Sequence, residues 1–476
     1  MDIISQLLQD GGGRKEFVNI LLLLHPKDLK ACRLVCSAWN EFITEEVWGR
    51  KAGRAKLKQK LLRSWKNTNS DGIKKVEEAR LEVYNIFSNN EHIFCSHRNG
   101  LISVYNLFGA WMRDLNTEKL LPYPMLAGGK DILAAVSGSS KVIANRVMVW
   151  GTHGDMELLH ELNLGFRDFE ISFVRKICVA EGTGNIKSRV AFWTWNTNDT
   201  DSLYILEMDD KMKWNDKTLA CFKLPVGNYM LAGMGKGIAV AWSNTGVDEE
   251  QEDDEEDEEE NEDEEAEEEE EAEEAEEEDE EANRAELEER FRKLETRVAL
   301  WWGDRKLPDV IIPQVNLNAL ALESVEDTPF IILHVCDFLR DAAEVRVYKF
   351  DPSNLTANLV RSIRTSSCPT GKPKLDGEPH LLDWHVDCEF FSNRLVFGFM
   401  LTNESLMPWK STLTIFDKKK LLTGLAEDNI SSREVTLPDF SDAVNVNLTH
   451  IILALYYDDG EEADDPRLHV KEVWMN

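Results

Sequence analysis

The sequence lacks most of the features that mark a secreted, membrane or metal-binding protein. Its eight cysteines form no CxxC pair and are irregularly spaced, so we expect neither a disulfide framework nor a zinc site. No apolar run approaches the roughly 20 residues that span a bilayer. The N-terminal stretch has no basic start, and polar residues interrupt it, so we expect no secretory leader. These absences favour the cytoplasm or nucleus and no membrane association.

Common catalytic motifs are also missing. The stretch Gly233–Gly237 lacks GxGxxG spacing and a following helical pattern, so we interpret it as a turn between strands. His160-Glu161 has no second histidine at HExxH spacing, no GxSxG elbow occurs, and the ten histidines are scattered. We therefore expect no catalytic residue, no cofactor, no metal and no enzymatic activity.

The charge is concentrated in one segment. Residues 248–282 contain 29 Asp or Glu among 35 residues, and without them the net charge of −34 becomes −5. Such a tract repels itself and cannot bury surface, so we expect a disordered acidic insertion, followed by a helix at 283–296. It is either a solubilising loop or an attractor of basic partners. An acidic chain with one short basic stretch makes nucleic-acid binding unfavourable.

The first fifty residues show helical periodicity. Two apolar stripes lie on either side of Pro26, which fits the first turn of a second helix. Thirty-odd residues cannot bury both stripes by themselves. Either a protein partner covers the stripes, or the helices form a small cap on the main domain. The first stripe is Phe17, Ile20, Leu21 and Leu24, and the second is Leu29, Cys32, Val35, Cys36, Trp39, Phe42 and Ile43.

A strand pattern recurs seven times after residue 72. Each instance is an alternating strand that ends near an aromatic residue or Asp, usually after two further strands, which predicts units of four short strands arranged radially. A pair of β-sandwiches, or six or eight units, stays open as an alternative. The seven instances are Gly100–Leu107, Arg146–Gly151, Ser202–Asp209, Arg297–Asp304, Glu344–Asp351, Thr412–Asp417 and Leu468–Trp474.

The two ends of this zone complement each other. The last unit stops after its third strand, and a spare strand at residues 72–77 precedes the first unit. Pairing of this strand with Leu468–Trp474 would close a ring and cover two open strand edges.

Two family resemblances accompany these patterns. The stretch Pro26–Leu29 (PKDL), the run Arg33–Trp39 (RLVCSAW) and Trp48 resemble an F-box. The seven units resemble a degenerate WD-repeat β-propeller, since no Trp-Asp or Gly-His dipeptide occurs.

The F-box resemblance implies a Skp-type adaptor and, through it, a cullin–RING ubiquitin ligase as partners. The propeller would then bind a protein substrate, for which a basic protein is one candidate. The alternative is a propeller that binds or chaperones basic proteins through its acidic loop, outside any ligase. The implied adaptor-binding residues are Phe17, Ile20, Leu21, Leu24, Pro26, Leu29, Val35, Cys36 and Trp39.

The sequence and its resemblances thus predict a small all-α F-box module followed by an all-β propeller of seven blades with a disordered acidic insertion. We place the module at 1–48, a basic linker helix at 49–71 and the propeller at 72–476. We expect the linker helix to be solvated, with nuclear targeting or contact with the acidic tract as the alternatives.

Overall fold

The computed structural model describes most of the helical start and of the strand-rich zone. The described residues are 14–21, 24, 26–33, 35, 37–43, 47, 51–76, 82–115, 117, 123–137, 146–163, 172–182, 188–196, 201–207, 220–224, 229–244, 294–302, 305–307, 309–313, 316–337, 342–351, 356–365, 386–403, 410–424, 432–437, 441–455 and 467–473. Within them the helices are α1 (Arg14–Leu21), α2 (Pro26–Arg33), α3 (Ser37–Phe42), α4 (Lys51–Lys66) and α5 (Lys418–Thr423).

The strands form seven antiparallel sheets, which we number as blades in chain order. Blade 1 contains β2 (Asn85–Ser88), β3 (His92–Ser96), β4 (Ile102–Asn106) and β5 (Trp111–Leu115). Blade 2 contains β6 (Pro124–Gly128), β7 (Ile132–Ser137), β8 (Arg146–Gly151) and β9 (Leu158–Asn163). Blade 3 contains β10 (Ser172–Ala180), β11 (Arg189–Asn196), β12 (Asp201–Glu207) and β13 (Ala220–Leu224).

The remaining blades follow the same order. Blade 4 contains β14 (Tyr229–Met234), β15 (Gly237–Asn244), β16 (Glu295–Trp302), β17 (Arg305–Lys306) and β18 (Val310–Pro313). Blade 5 contains β19 (Asn316–Val325), β20 (Thr328–Asp337), β21 (Ala342–Asp351) and β22 (Thr356–Arg364). Blade 6 contains β23 (Val386–Ser392), β24 (Val396–Asn403), β25 (Lys410–Asp417) and β26 (Ser432–Thr436). Blade 7 contains β27 (Ser441–Val446), β28 (His450–Leu455), β29 (Arg467–Glu472) and β1 (Lys74–Lys75).

The first strands of successive blades contact each other around a ring, and β27 of blade 7 returns to β2 of blade 1. The fold is therefore a seven-bladed propeller, as the seven sequence units predict. Each of those units is the third strand of its blade, from β4 in blade 1 to β29 in blade 7.

Blades bury both of their faces, which explains why their strands are apolar without strict alternation. On β3, Ile93 packs with Ile452 of blade 7, whereas its neighbour Phe94 packs with Leu133 of blade 2. All six residues of β28 are buried. Successive side chains of a strand point to opposite faces, so a strand between two neighbouring blades needs apolar residues at consecutive positions.

The predicted ring closure is present. Lys74 and Lys75 pair antiparallel with Val470 and His469, and the Val76 amide donates to the Leu468 carbonyl at 2.9 Å. A chain segment before blade 1 therefore completes blade 7. This arrangement joins the two ends of the propeller through main-chain hydrogen bonds and covers the edge of β29.

The strand order defines two ends of the propeller. Turns between first and second strands, and between third and fourth strands, lie at one end, which we call the lower face. Connections between second and third strands, and from blade to blade, lie at the other end, the upper face. The predicted turn at Gly235-Lys236 joins β14 to β15 on the lower face, and Gly235 has a φ of 55°, which glycine adopts readily.

Candidate docking module and binding face

The three short helices α1 to α3 share a small core of their own. Leu21 and Leu29 are 1% and 0% exposed, and Phe42, Ile43 and Val47 are also buried. These side chains hold the helices together, so Leu21 and Leu29 support the module from inside. Thirty-odd residues therefore bury more of the two stripes than the sequence analysis expected.

Other apolar residues of the module remain at its surface. Ile20 is 55% exposed and Val35 is 66% exposed, and both are among the large apolar side chains most accessible in the described chain. Trp39 is half-buried and packs edge-on against the Phe17 ring, with centroids 5.4 Å apart. Leu24 is half-buried as well. The module thus presents apolar surface that its own core does not cover.

The second stripe is interrupted rather than continuous. Helix α2 ends at Arg33 and α3 begins at Ser37, with Val35 in the turn between them, where its amide donates to the Cys32 carbonyl at 3.2 Å. The prediction that Val35 and Trp39 lie on one face of a single helix is therefore wrong, since two short helices replace it. Pro26 begins α2 as predicted, while its side chain and all of Cys36 lie outside the described residues.

Helix α4 is docked on the propeller, and the prediction of a solvated linker helix is wrong for its second half. Trp65 is 0% exposed and Leu61 is 4% exposed, and both pack with Val396 of blade 6 and Leu453 of blade 7. The Trp65 indole donates from Nε1 to the Leu448 carbonyl at 3.2 Å. Leu61 and Trp65 are one helical turn apart, so one face is apolar despite the many basic residues around it.

The segment after α4 is fixed by further polar contacts. Arg433 donates from Nε to the Thr68 carbonyl at 2.8 Å. The Lys471 ammonium group donates to the Asp71 carbonyl, and desolvation lowers the pKa of this buried lysine. Leu448 lies in a first-to-second-strand turn and Arg433 follows a third-to-fourth-strand connection, so α4 sits on the lower face.

The acidic insertion leaves the propeller at the opposite end. In blade 4, Tyr229–Met234 is the first strand, and Asn244 of the second strand pairs with Glu295 of the third. Residues 248–282 thus connect a second and a third strand on the upper face, although the tract itself lies outside the described residues. The prediction of a helix at 283–296 is wrong for its last two residues, because Glu295 and Thr296 belong to β16. Residues 283–293 lie outside the described residues.

Four described arginines of the upper face are each paired with a glutamate of the same chain. At Glu344, burial opposes ionisation of the carboxyl group. Hydrogen bonds from Ser362 and Arg346 outweigh this effect and hold the pKa of Glu344 below its usual value. These arginines are therefore largely neutralised by the protein itself. The pairs are Arg98–Glu82 (2.5 Å), Arg146–Glu161 (2.8 Å), Arg297–Glu295 (3.0 Å) and Arg346–Glu344 (2.9 Å).

No group of three or more His, Cys, Asp or Glu residues in the described ranges is arranged to hold a metal ion. No helix in the described part of the chain is long and apolar enough to cross a membrane.

Comparison with known proteins bears on the helical module first. Residues 17–52 match the family model described as F-box-like. The chain has an F-box-like domain. It is followed by the seven-bladed propeller, so the order expected from the sequence is confirmed. No curated protein matches the chain.

Solved structures are similar to this chain at low sequence identity. The WD40 domain of SCAP from fission yeast is 10% identical with a TM-score of 0.44, and the match covers 82% of this chain and 84% of that one. The Dos1 propeller is 8% identical with a TM-score of 0.42, covering 80% and 76%. The computationally designed Ika8 protein is 10% identical with a TM-score of 0.38, covering 84% and 98%.

Proposed function

We propose that this chain is the substrate-recognition subunit of an SCF-type (Skp–cullin–F-box) E3 ubiquitin ligase. The observation that carries the proposal is an F-box-like domain with exposed apolar residues, joined through a docked helix to a complete propeller. F-box proteins are typically non-catalytic adaptors. The family therefore implies a Skp-type adaptor and a cullin–RING ligase as partners, in the cytoplasm or nucleus.

The adaptor would contact the exposed part of the module. Ile20 and Val35 offer the most accessible apolar surface, and Phe17, Leu24 and Trp39 offer partly covered surface beside it. Pro26 and Cys36 belong to the same proposed site by sequence. Leu21 and Leu29 would act from the core, because a partner cannot reach them without opening the module.

The substrate would bind the upper face, opposite the docked α4. The acidic tract joins the propeller on that face, and its 29 acidic residues favour a basic protein. The pairing of four upper-face arginines with glutamates fits the same preference, because a phosphorylated segment needs cations that are not already neutralised.

Substrate capture in cells tests the proposal. With cullin activation blocked, the full chain should retain the adaptor and a set of proteins whose ubiquitination depends on it. Deleting residues 1–48 should remove the adaptor and the ubiquitination while leaving those proteins bound. If basic proteins are captured but never ubiquitinated, and no adaptor is retained by the full chain, the alternative of a non-ligase binding propeller replaces this one.

Deletion of residues 248–282 tests the role of the tract. Association rates with a captured basic substrate should fall, because the long-range attraction of the tract is lost. Their dependence on salt should weaken, because salt screens attraction between charges more than about 8 Å apart. Dissociation should change little. An unchanged rate and salt dependence would leave the tract as a solubilising insertion.

A further inference from the structure

A small open cleft lies on the lower face, where α4 packs against blade 6. Five of its nine lining residues are apolar, and the space inside it is about 400 Å³ including the mouth. Trp65, Ile415 and Phe416 line the cleft and are buried, and Leu62 beside them is half-buried. The cleft is therefore large enough for a side chain of a bound segment, but too small for a folded domain.

Exposed cations surround this cleft. Two of them line it, one from the end of α4 and one from β26. Two more lie in the first turn of α5, which is capped by another lining residue, Asp417. The fifth lies in the turn before β24, whose first residue, Val396, also lines the cleft. The five exposed cations are Lys66, Arg394, Lys419, Lys420 and Arg433.

These five cations differ from the arginines of the upper face, which are paired with glutamates. Among the described residues, none of the five forms an ion pair. Asp417 is the acidic residue of the lining, and its Oδ1 accepts from the amides of Lys419 and Lys420 at 3.1 and 3.3 Å. Glu434 is exposed next to Arg433, but successive side chains of a strand point to opposite faces. The surface around the cleft is therefore positive and attracts acidic groups.

Neighbouring hydrogen bonds fix the segments that carry the cations. Arg433 donates from Nε to the Thr68 carbonyl at 2.8 Å, which joins β26 to the end of α4. The buried Lys418 bonds the turn before β24 twice: its amide donates to the Leu395 carbonyl at 3.0 Å, and its Nζ donates to the Asn393 carbonyl at 3.1 Å. A positive surface on fixed segments loses little conformational freedom when a ligand binds.

An apolar cleft within a positive surface fits a ligand that has both a large apolar group and negative charges. The acidic tract of this chain meets only the second condition, because residues 248–282 contain no apolar residue larger than alanine. The tract also joins the propeller at the upper face. We propose that the cleft binds an acidic segment of a partner protein, with one large apolar side chain in the cleft and its carboxylates on the surrounding cations.

This site is independent of the proposed ligase function. It gives the lower face a preference for acidic partners, opposite in sign to the preference of the upper face for basic ones. Neither the adaptor nor the substrate of a ligase is needed for the site to bind. Its failure would therefore leave the ligase proposal standing.

Fluorescence anisotropy of labelled peptides with the full chain, at about 0.15 M salt, tests the proposal. The probe is a Glu/Ser peptide with one central leucine, and a second peptide has alanine in place of the leucine. The leucine peptide should bind about tenfold more tightly, because its side chain is buried in the cleft. Lys419→Glu with Lys420→Glu should weaken its binding at least about tenfold. Lys176→Glu with Lys349→Glu makes the same charge change at exposed positions of blades 3 and 5, and should alter binding less than about twofold.

Ser432→Trp separates the role of the cleft from that of the charges. Ser432 is exposed and lines the cleft, so a bulky side chain there fills the cleft without a change of charge. This variant should bind the leucine peptide only as tightly as the alanine peptide. Thermal midpoints verify that each variant is folded.

Three results would overturn the proposal. The first is equal affinity of the two peptides for the unchanged protein. The second is an equal loss of affinity in the two lysine double variants, since the charges would then act from anywhere on the surface. The third is binding of inorganic tripolyphosphate without binding of either peptide, which would make the ligand a phosphate instead of an acidic protein segment.

Discussion

The helical module and the propeller treat their apolar residues differently. In the module, Ile20 and Val35 keep more than half of their surface exposed around a core of five fully buried side chains. In the propeller, neighbouring blades cover both faces of the inner strands, and β1 closes the ring. The inner strands of the propeller are therefore covered by the chain itself, whereas the module leaves two residues of its apolar stripes more than half exposed.

Helix α4 sits at the boundary of that comparison. Its chain position connects it to the module, but its buried face belongs to the propeller core through Leu61 and Trp65. The buried core of the propeller therefore includes side chains of α4, which precedes the first strand in the chain. This boundary makes the comparison testable by truncation.

The largest effect is expected from moving the truncation point across α4. Removing residues 1–48 should leave the thermal midpoint of the propeller unchanged, because no part of its described core is lost. Removing residues 1–80 deletes Trp65 and β1, exposes the edge of β29 and should prevent cooperative unfolding or lower the midpoint by more than about 10 °C. Equal midpoints in differential scanning calorimetry would contradict the closed-ring account.

A single substitution sharpens the same point. Trp65→Ala should destabilise the propeller by about 3–5 kcal/mol in urea unfolding, since a fully buried indole leaves a cavity and its hydrogen bond to Leu448 is lost. Trp111→Ala is the matched control, because this tryptophan is 51% exposed, and it should cost well under half as much. If both variants lose the same stability, α4 is not part of the propeller core.

A smaller effect is expected from pH at His334 in blade 5. Burial lowers its pKa to about 4 from 6.5, and the ring has no hydrogen-bond partner among the described residues. Between these pH values the unfolded chain binds a proton that the folded chain does not, so stability is full above pH 6.5 and falls as the pH drops toward 4. The total loss is about 3 kcal/mol.

His334→Leu should therefore make unfolding stability less dependent on pH between 7 and 4. His153→Gln provides a control of opposite sign. The His153 ring donates a hydrogen bond to the Asp131 carboxylate, which raises the pKa of this half-exposed histidine, so its small contribution is present at low pH and is lost as the pH rises. If His334→Leu loses as much stability on acidification as the unchanged protein, His334 is not the titrating group.

The sequence predicted more of the fold than of the candidate site. The third strands and the β1–β29 pairing were predictable because aromatic-ended strands recur and the last unit lacks a partner strand. The docking of α4 on the propeller was not predicted, because eight basic residues surround Leu61 and Trp65 in the sequence. The i, i+4 spacing of these two apolar residues was the available signal. Two of the arginine–glutamate pairs, Arg297–Glu295 and Arg346–Glu344, lie two residues apart on one strand, a spacing that the sequence already contains. The other two join separate segments of the chain, so they depend on the fold.

The most direct test of the central claim is the affinity of the purified full chain for a purified Skp-type adaptor. Ile20→Asp with Val35→Asp should weaken binding by at least about 100-fold, because two desolvated charges replace the most exposed apolar residues of the module. Leu359→Asp, at a 53% exposed position on blade 5, is the matched control and should bind as the unchanged protein does. Adaptor affinity that is the same for all three proteins, with unchanged thermal midpoints, would contradict the account.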